Sequence, residues 1–266
     1  MLKFLFHTLV YFLALKIQFY RPLTQDIYMS FRKIYKTLNW VVGTALGLWA
    51  GAIFIIFVFV SDTITYDRSS IQNVNPDDQS EFFSILQSSD AWLRSSLVSD
   101  LDLKPVRIVF TKSWPEFFVY APFYWRPYAL SFPFINTLIF APYDQEKNTV
   151  TSGEGFTRSI QDVLTHELVH QALSQNLEFL TYRKMKPWAE EGLAEYIAGG
   201  GSIAYEDGLK KFCDGKEDKS HAYRYFLYKI AVGFVLNQDG ASLLHLVEAT
   251  EPLKSVLDRA RPHYCG

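Results

Sequence analysis

The chain has 266 residues, of which 49% are hydrophobic and 20% are charged, and its formal net charge is −2. So small a net charge argues against a nucleic-acid partner, because proteins that bind nucleic acids carry a basic surface that faces the phosphates. The average conceals a division between an apolar N-terminal region and a remainder of mixed composition.

Residues 1–38 are predicted to comprise an apolar segment followed by a basic cytoplasmic stretch. Residues 4–15 are uncharged, but Lys3 and Lys16 bracket only these twelve positions, which is short for a membrane span. The segment could be a second membrane helix, an interfacial helix or translated upstream sequence. The last alternative would place the start of the protein at Met29, as in a signal-anchor.

Residues 39–61 are predicted to form a transmembrane helix. Residues 37–61 contain no charge, and their apolar run is long enough to cross the hydrocarbon core of a bilayer. Basic residues precede this stretch and acidic residues follow it, so a single-pass or two-pass membrane protein is expected. Its remaining residues would lie outside the cytoplasm, on the periplasmic face of the inner membrane if the protein is bacterial. A fully buried core helix is the alternative.

Residues 62–80 are predicted to be a polar linker, and residues 81–266 a single folded domain. Hydrophobic spacing and turn residues within the remainder of the chain predict both helices and strands, so the expected fold class is α+β. The predicted helices cover residues 79–99, 157–175, 187–198, 221–237 and 241–249, and the predicted strands cover residues 106–110 and 137–141.

Residues 166–170 read HELVH and are the most informative part of the sequence. Residues four apart lie on one face of a helix, so His166 and His170 can present ring nitrogens to one metal ion. A catalytic zinc site takes three protein ligands and keeps a position for water. Glu167 can reach that water as a general base. The third ligand must lie elsewhere, and Glu191 and Glu190 are the candidates.

Together with the segment WAEEGLAEY at residues 188–196, this motif resembles the gluzincin branch of the zincin metallopeptidases, specifically the peptidase MA-like domains. The resemblance implies Zn²⁺ as the cofactor, His166, His170 and Glu191 as its ligands, and Glu167 as the general base. It also implies that Glu195 orients a ligand histidine through the second ring nitrogen.

The same resemblance selects Glu191 over Glu190, because Glu191 directly precedes Gly192 as in the family pattern. It implies a small zincin-like domain with a short sheet ahead of the active-site helix. The strand at residues 137–141 is then expected to be the sheet edge that pairs with an extended substrate.

The implied function is a membrane-anchored zinc peptidase that hydrolyses peptide or protein substrates through a metal-activated water. Lack of a Gly-x-Met-x-Asn segment favours endopeptidase action. One alternative is a non-catalytic zinc-binding domain, anchored in the membrane, that binds a protein partner. The other is a membrane protein with an accidental motif. The sequence carries no indication of an oligomeric state.

Two further questions stay open at the level of sequence. A hydrogen-bond donor for the developing oxyanion is expected, and His221, Tyr225 and Tyr228 are candidates. Cys213 and Cys265 are the only cysteines in the chain, and they form either one disulfide or two free thiols.

Overall fold

The computed structural model describes residues 34–45, 47–49, 51, 63–66, 69–72, 79–122, 124, 127–144 and 146–266. The chain divides into two compact units, Met1–Val60 and Ser61–Gly266. The predictions made for residues 1–33, including the apolar segment and the start at Met29, lie outside the described residues.

The first unit is helical in its described residues, 34–45, 47–49 and 51. Within the described part of the chain, no helix is both long enough and apolar enough to cross a membrane. This finding contradicts the transmembrane helix predicted over residues 39–61 and the membrane localisation that depends on it. The described helix includes polar residues at Lys36 and Asn39, which leaves fewer apolar positions than the roughly 20 that a span requires. Residues 52–61 lie outside the described residues.

Helices provide most of the second unit. In the described residues they are α1 (Gln79–Arg94), α2 (Trp114–Tyr120), α3 (Ile160–Asn176), α4 (Phe179–Lys184), α5 (Pro187–Ala198), α6 (Tyr205–Cys213), α7 (His221–Asn237), α8 (Leu243–Val247) and α9 (Leu253–Cys265), with a 3₁₀ turn at Pro133–Ile135.

The strands are short. They are β1 (Thr63–Tyr66), β2 (Ser69–Gln72), β3 (Arg107–Phe110), β4 (Ala129–Phe132), β5 (Thr137–Phe140), β6 (Tyr143–Asp144), β7 (Thr149–Thr151) and β8 (Thr157–Ser159). The expected α+β fold behind a transmembrane helix is therefore corrected. The described fold is mainly helical. None of its described strands exceeds four residues.

The larger sheet has the strand order β1-β2-β3-β5-β4. Strands β2, β3 and β5 are parallel, whereas β1 and β4 run antiparallel to their neighbours. The expectation that residues 137–141 form the sheet edge is wrong, because β5 lies between β3 and β4 and its four residues are all buried. The edge strand β4 of this sheet contacts α3. The smaller sheet is antiparallel, in the order β6-β7-β8.

The predicted linker over residues 62–80 differs from the structure where β1 and β2 form. Ile71 of β2 is buried and pairs with Ile108 of β3. A polar composition had suggested a linker, but backbone pairing and burial of Ile71 draw this segment into the sheet.

Local signals explain where the site helices begin and end. The Ser159 side chain accepts a hydrogen bond from the backbone of Asp162 and so caps α3. Pro187 occupies the first turn of α5, where its missing N–H costs nothing. Gly199 ends α5 with φ of 80°, a conformation that glycine adopts without strain.

Glycine also determines how closely α5 and α7 pack. A Cβ atom on Gly192 would lie 2.5 Å from the backbone oxygen of Tyr228 and 2.7 Å from a methyl group of Val232. Only a glycine at this position allows the two helices to approach so closely, and this contact brings α7 against the helix that carries Glu191.

Cys213 and Cys265 form a disulfide with a Cα–Cα separation of 5.4 Å. This resolves the alternative left open by the sequence. The bond joins the end of α6 to the end of α9, which places a covalent link between elements 52 residues apart.

Candidate metal centre

Helix α3 buries polar side chains of the HELVH motif. His166 is 7% exposed, Glu167 is 9% exposed and His170 is 7% exposed. Burial of ionisable groups is unfavourable unless partners compensate for lost hydration. The side chains that compensate here come chiefly from α5, which packs against α3.

Three candidate ligand atoms converge between the two helices. His166 Nε2 and His170 Nε2 are 3.2 Å apart, and Glu191 Oε2 lies 3.3 Å from the first and 3.4 Å from the second. In a tetrahedral zinc site with bonds of about 2.0–2.2 Å, neighbouring ligand atoms lie about 3.3–3.6 Å apart. The three residues therefore fit a metal ion, although this donor set is not specific to zinc.

Each histidine also faces a carboxylate with its other ring nitrogen. His166 Nδ1 lies 3.1 Å from Glu195 Oε1, and His170 Nδ1 lies 3.2 Å from Glu190 Oε1. The approach of Glu195 is oblique, so this contact is ionic rather than a well-aligned hydrogen bond. With Nδ1 engaged in this way, each ring directs Nε2 towards the shared centre.

The two carboxylates that face the Nδ1 atoms, those of Glu195 and Glu190, are the outer carboxylates, and their surroundings differ. Arg158, at the middle of β8, donates to both oxygens of Glu195 at 2.7 and 3.2 Å. That pair is almost fully buried. Burial raises the pKa of Glu190, but His170 and the Tyr182 hydroxyl outweigh burial and lower that pKa. The Glu190 side chain is 24% exposed.

The cluster holds its negative charges strongly. Burial raises the pKa of Glu191, but the two histidines outweigh burial and hold that pKa well below the ordinary value. Burial likewise raises the pKa of Glu195, and contacts with His166 and Arg158 overcome it and lower the pKa to about 2. These carboxylates therefore remain ionised and attract either protons on the histidines or a metal cation.

The histidines respond in the opposite sense. Burial lowers the pKa of His166, but its contacts with Glu191 and Glu195 prevail and raise the pKa to about 9. Burial also lowers the pKa of His170, but Glu191 and Glu190 outweigh burial and raise that pKa well above its ordinary value. A metal ion would replace these protons, because only the neutral imidazole nitrogen can bind it.

Glu167 lies beside the ligand cluster without joining it. Burial raises the pKa of its carboxyl group, and the positive charges of His166 and His170 partly oppose this rise. A buried carboxylate that borders two histidines is suited to accept and return a proton.

Helix α7 contributes an aromatic wall to the site. The Tyr225 ring lies 6.3 Å from the His166 ring, measured between centroids. Burial raises the pKa of Tyr225, and the carboxylates of Glu191 and Glu195 raise it further, so the phenol stays protonated. Tyr228 and His221 contact Tyr225 at centroid distances of 5.9 and 6.4 Å.

The structure brings the three predicted ligands together, whereas the roles of three neighbouring side chains were not predicted from the sequence. Glu190 was considered only as an alternative metal ligand, and neither Arg158 nor Tyr182 was singled out. An arginine directly before the Ser159 cap was the one available signal for Arg158, since that position leads into the motif helix.

No protein-family model, curated protein or solved structure matches this chain. The resemblance to the gluzincins thus depends on the motif residues and on their geometry.

Proposed function

We propose that this protein is a zinc-dependent peptidase, with His166, His170 and Glu191 as ligands and Glu167 as the general base. One observation carries the proposal. The two Nε2 atoms and Glu191 Oε2 converge at the spacing that a tetrahedral metal site requires, inside a buried cluster that includes Glu167. An accidental HExxH string would require no such convergence with an acidic helix 20 residues downstream.

A zinc ion bound by these residues would supply an activated water and polarise the scissile carbonyl group. Glu167 would accept a proton from the attacking water and return it to the leaving amine nitrogen. Glu167 is 9% exposed, so its carboxylate is largely shielded from bulk solvent.

We further propose that Tyr225 donates a hydrogen bond to the oxygen that gains charge during the reaction. The support for this assignment is its ring contact with His166 and its protonated phenol. Of the three candidates from the sequence, Tyr225 is the one with a described ring contact to a proposed ligand.

The open edge of β4 is the proposed binding surface for an extended peptide. Tyr128 accepts a backbone hydrogen bond from Ala141, and antiparallel pairing alternates. The backbone groups of Ala129 and Ser131 therefore point away from β5. Ser131 also accepts a hydrogen bond from Gln171, the residue after His170, which ties this edge to the motif helix.

The proposal is tested by comparing zinc content and peptide hydrolysis in the full-length protein and its Glu167→Gln variant. A randomised peptide mixture serves as the substrate, and mass spectrometry of the products distinguishes internal cleavage from terminal cleavage. We expect Glu167→Gln to retain zinc and to lose activity by roughly 10³-fold, as for removal of a general base. Glu206→Gln, an exposed control with the same charge change, should remain active.

Two results would contradict the proposed peptidase activity or its mechanism. Equal activity in both proteins would show that Glu167 is not the base. Zinc binding without hydrolysis of the mixture by the parent protein would favour the alternative of a non-catalytic zinc domain that binds a protein partner.

A further inference from the structure

Consecutive glutamates on α5 contact opposite nitrogen atoms of one histidine ring. Glu191 Oε2 lies 3.4 Å from His170 Nε2, and Glu190 Oε1 lies 3.2 Å from His170 Nδ1. Adjacent residues on a helix point about 100° apart, so two neighbouring side chains can enclose a ring that projects between them. The imidazole of His170 is held from both sides.

We propose that Glu190 is a positioning residue for His170. The effect on metal binding rests on the proposed function, whereas the effect on the histidine ring does not. A carboxylate at Nδ1 keeps the proton on that nitrogen and leaves the Nε2 lone pair available to a metal.

Glu190 is poorly placed to act as a metal ligand itself. Its contacting oxygen faces Nδ1, whereas the three converging ligand atoms are on the Nε2 side of the ring. A role as an ordinary surface charge is also disfavoured. The side chain is about three-quarters buried, and its carboxylate is paired with His170.

The order in which residues of α3 and α5 meet explains why both Glu195 and Glu190 are present. His166 meets Glu191 and Glu195, whereas His170, one turn later on α3, meets Glu191 and Glu190. The helices run in opposite directions at the site, so a single outer glutamate cannot reach both rings. Glu195 can serve only the first histidine, and the second requires Glu190.

The surroundings of the two carboxylates differ. Glu195 is held by the buried cation of Arg158, whereas the Glu190 side chain is 24% exposed. Replacement of Glu190 should therefore leave no buried arginine without its partner.

The test uses ¹⁵N-histidine NMR on the full-length protein without zinc, followed by zinc titration. Glu190→Ala should shift the Nδ1 signal of His170 and leave that of His166 in place, and Glu195→Ala should do the reverse. The zinc dissociation constant should rise roughly 10- to 100-fold in Glu190→Ala.

Glu190→Gln provides a second variant in case Glu190→Ala does not fold, because its amide oxygen can still accept from Nδ1. It should retain most of the His170 signal and lose less zinc affinity than Glu190→Ala. Glu206→Ala is the matched control and should change neither property. The proposal is overturned if Glu190→Ala leaves the His170 signal unchanged, or shifts both histidines equally. If the parent binds no zinc, the peptidase proposal fails, and the histidine signals still decide the role of Glu190.

Discussion

Helices α3 and α7 are alike in length and in their first turn but differ in what they bury. Both have 17 residues, and each begins after a serine, Ser159 or Ser220, that accepts a backbone hydrogen bond. The buried side chains of α7 are aromatic or aliphatic. Those of α3 include Thr165, His166, Glu167, His170 and Gln171.

This difference separates the signals that build a helix from those that build a site. Capping and hydrophobic spacing are sufficient for both helices. The buried polar groups of α3 require partners, and those partners come from other elements, including Arg158 on β8, Ser89 on α1 and Ser131 on β4. Substitutions that remove the partners of these buried polar groups should therefore lower the stability of the protein.

The largest effect on stability is expected for Arg158→Met. This change leaves the Glu195 carboxylate buried beside His166 without its cation, and loss of one member of a buried pair costs about 3–5 kcal/mol. Urea unfolding measures the loss. Arg94→Met, in an exposed ion pair with Asp90, should change the free energy of unfolding by less than about 1 kcal/mol. Equal losses of stability in the two variants would show that Arg158 contributes no more than an exposed ion pair does.

Tyr225→Phe examines the one α7 side chain for which we propose a catalytic role. Loss of the donor should lower kcat by about 10²-fold, as for other oxyanion donors, with zinc content unchanged. Tyr228→Phe is the control and should remain within about threefold of the parent, since a threefold change corresponds to under 1 kcal/mol. If Tyr228→Phe is the more damaging change, the proposed assignment of the donor is incorrect.

Gly192→Ala probes the packing between α5 and α7. Alanine is favoured over glycine within a helix by about 1 kcal/mol, but the added methyl group would collide with the backbone of Tyr228. We expect a net destabilisation of about 1–3 kcal/mol, as for other overpacked sites. Gly233→Ala meets side-chain atoms no closer than 3.3 Å and should cost less in thermal denaturation. A stabilised Gly192→Ala variant would contradict the close approach.

The smallest effect is expected for Thr165→Val, which preserves shape and removes a hydroxyl that bonds Ser89 and the backbone of Gln161. Ser89 is fully buried, so loss of this partner should cost about 1–2 kcal/mol in chemical unfolding. Ser88→Ala removes a hydroxyl that bonds within its own helix and should cost less. No loss in Thr165→Val would mean that α3 tolerates unpaired polar groups.

The helices of the site could be predicted closely because their signals are local. The predicted helix over residues 157–175 compares with α3 at Ile160–Asn176, and the difference at its start arises because Thr157–Ser159 forms β8. The predicted helix over residues 187–198 coincides with α5, since Pro187 and Gly199 mark its ends. The spacing of the motif predicted that His166 and His170 share one face of a helix, and the family resemblance added Glu191; the three lie together in the structure.

Contacts between distant residues left no such signal. The pairing of Arg158 with Glu195 joins β8 to α5, and spacing along the chain does not encode this contact. Strand β4 was missed because its four residues are only partly apolar and gain their pairing from β5. The prediction of a transmembrane helix was based on composition alone. In the described part of the chain, no helix is both long enough and apolar enough to cross a membrane.

The most direct test of the central claim is zinc per chain in the purified full-length protein, measured beside His166→Ala and Glu191→Ala. The proposed centre predicts about one zinc per parent chain and a loss or clear weakening of binding in both variants. A folded parent without zinc would contradict the metal centre. Zinc retained in Glu191→Ala but lost in His166→Ala would contradict Glu191 as the third ligand.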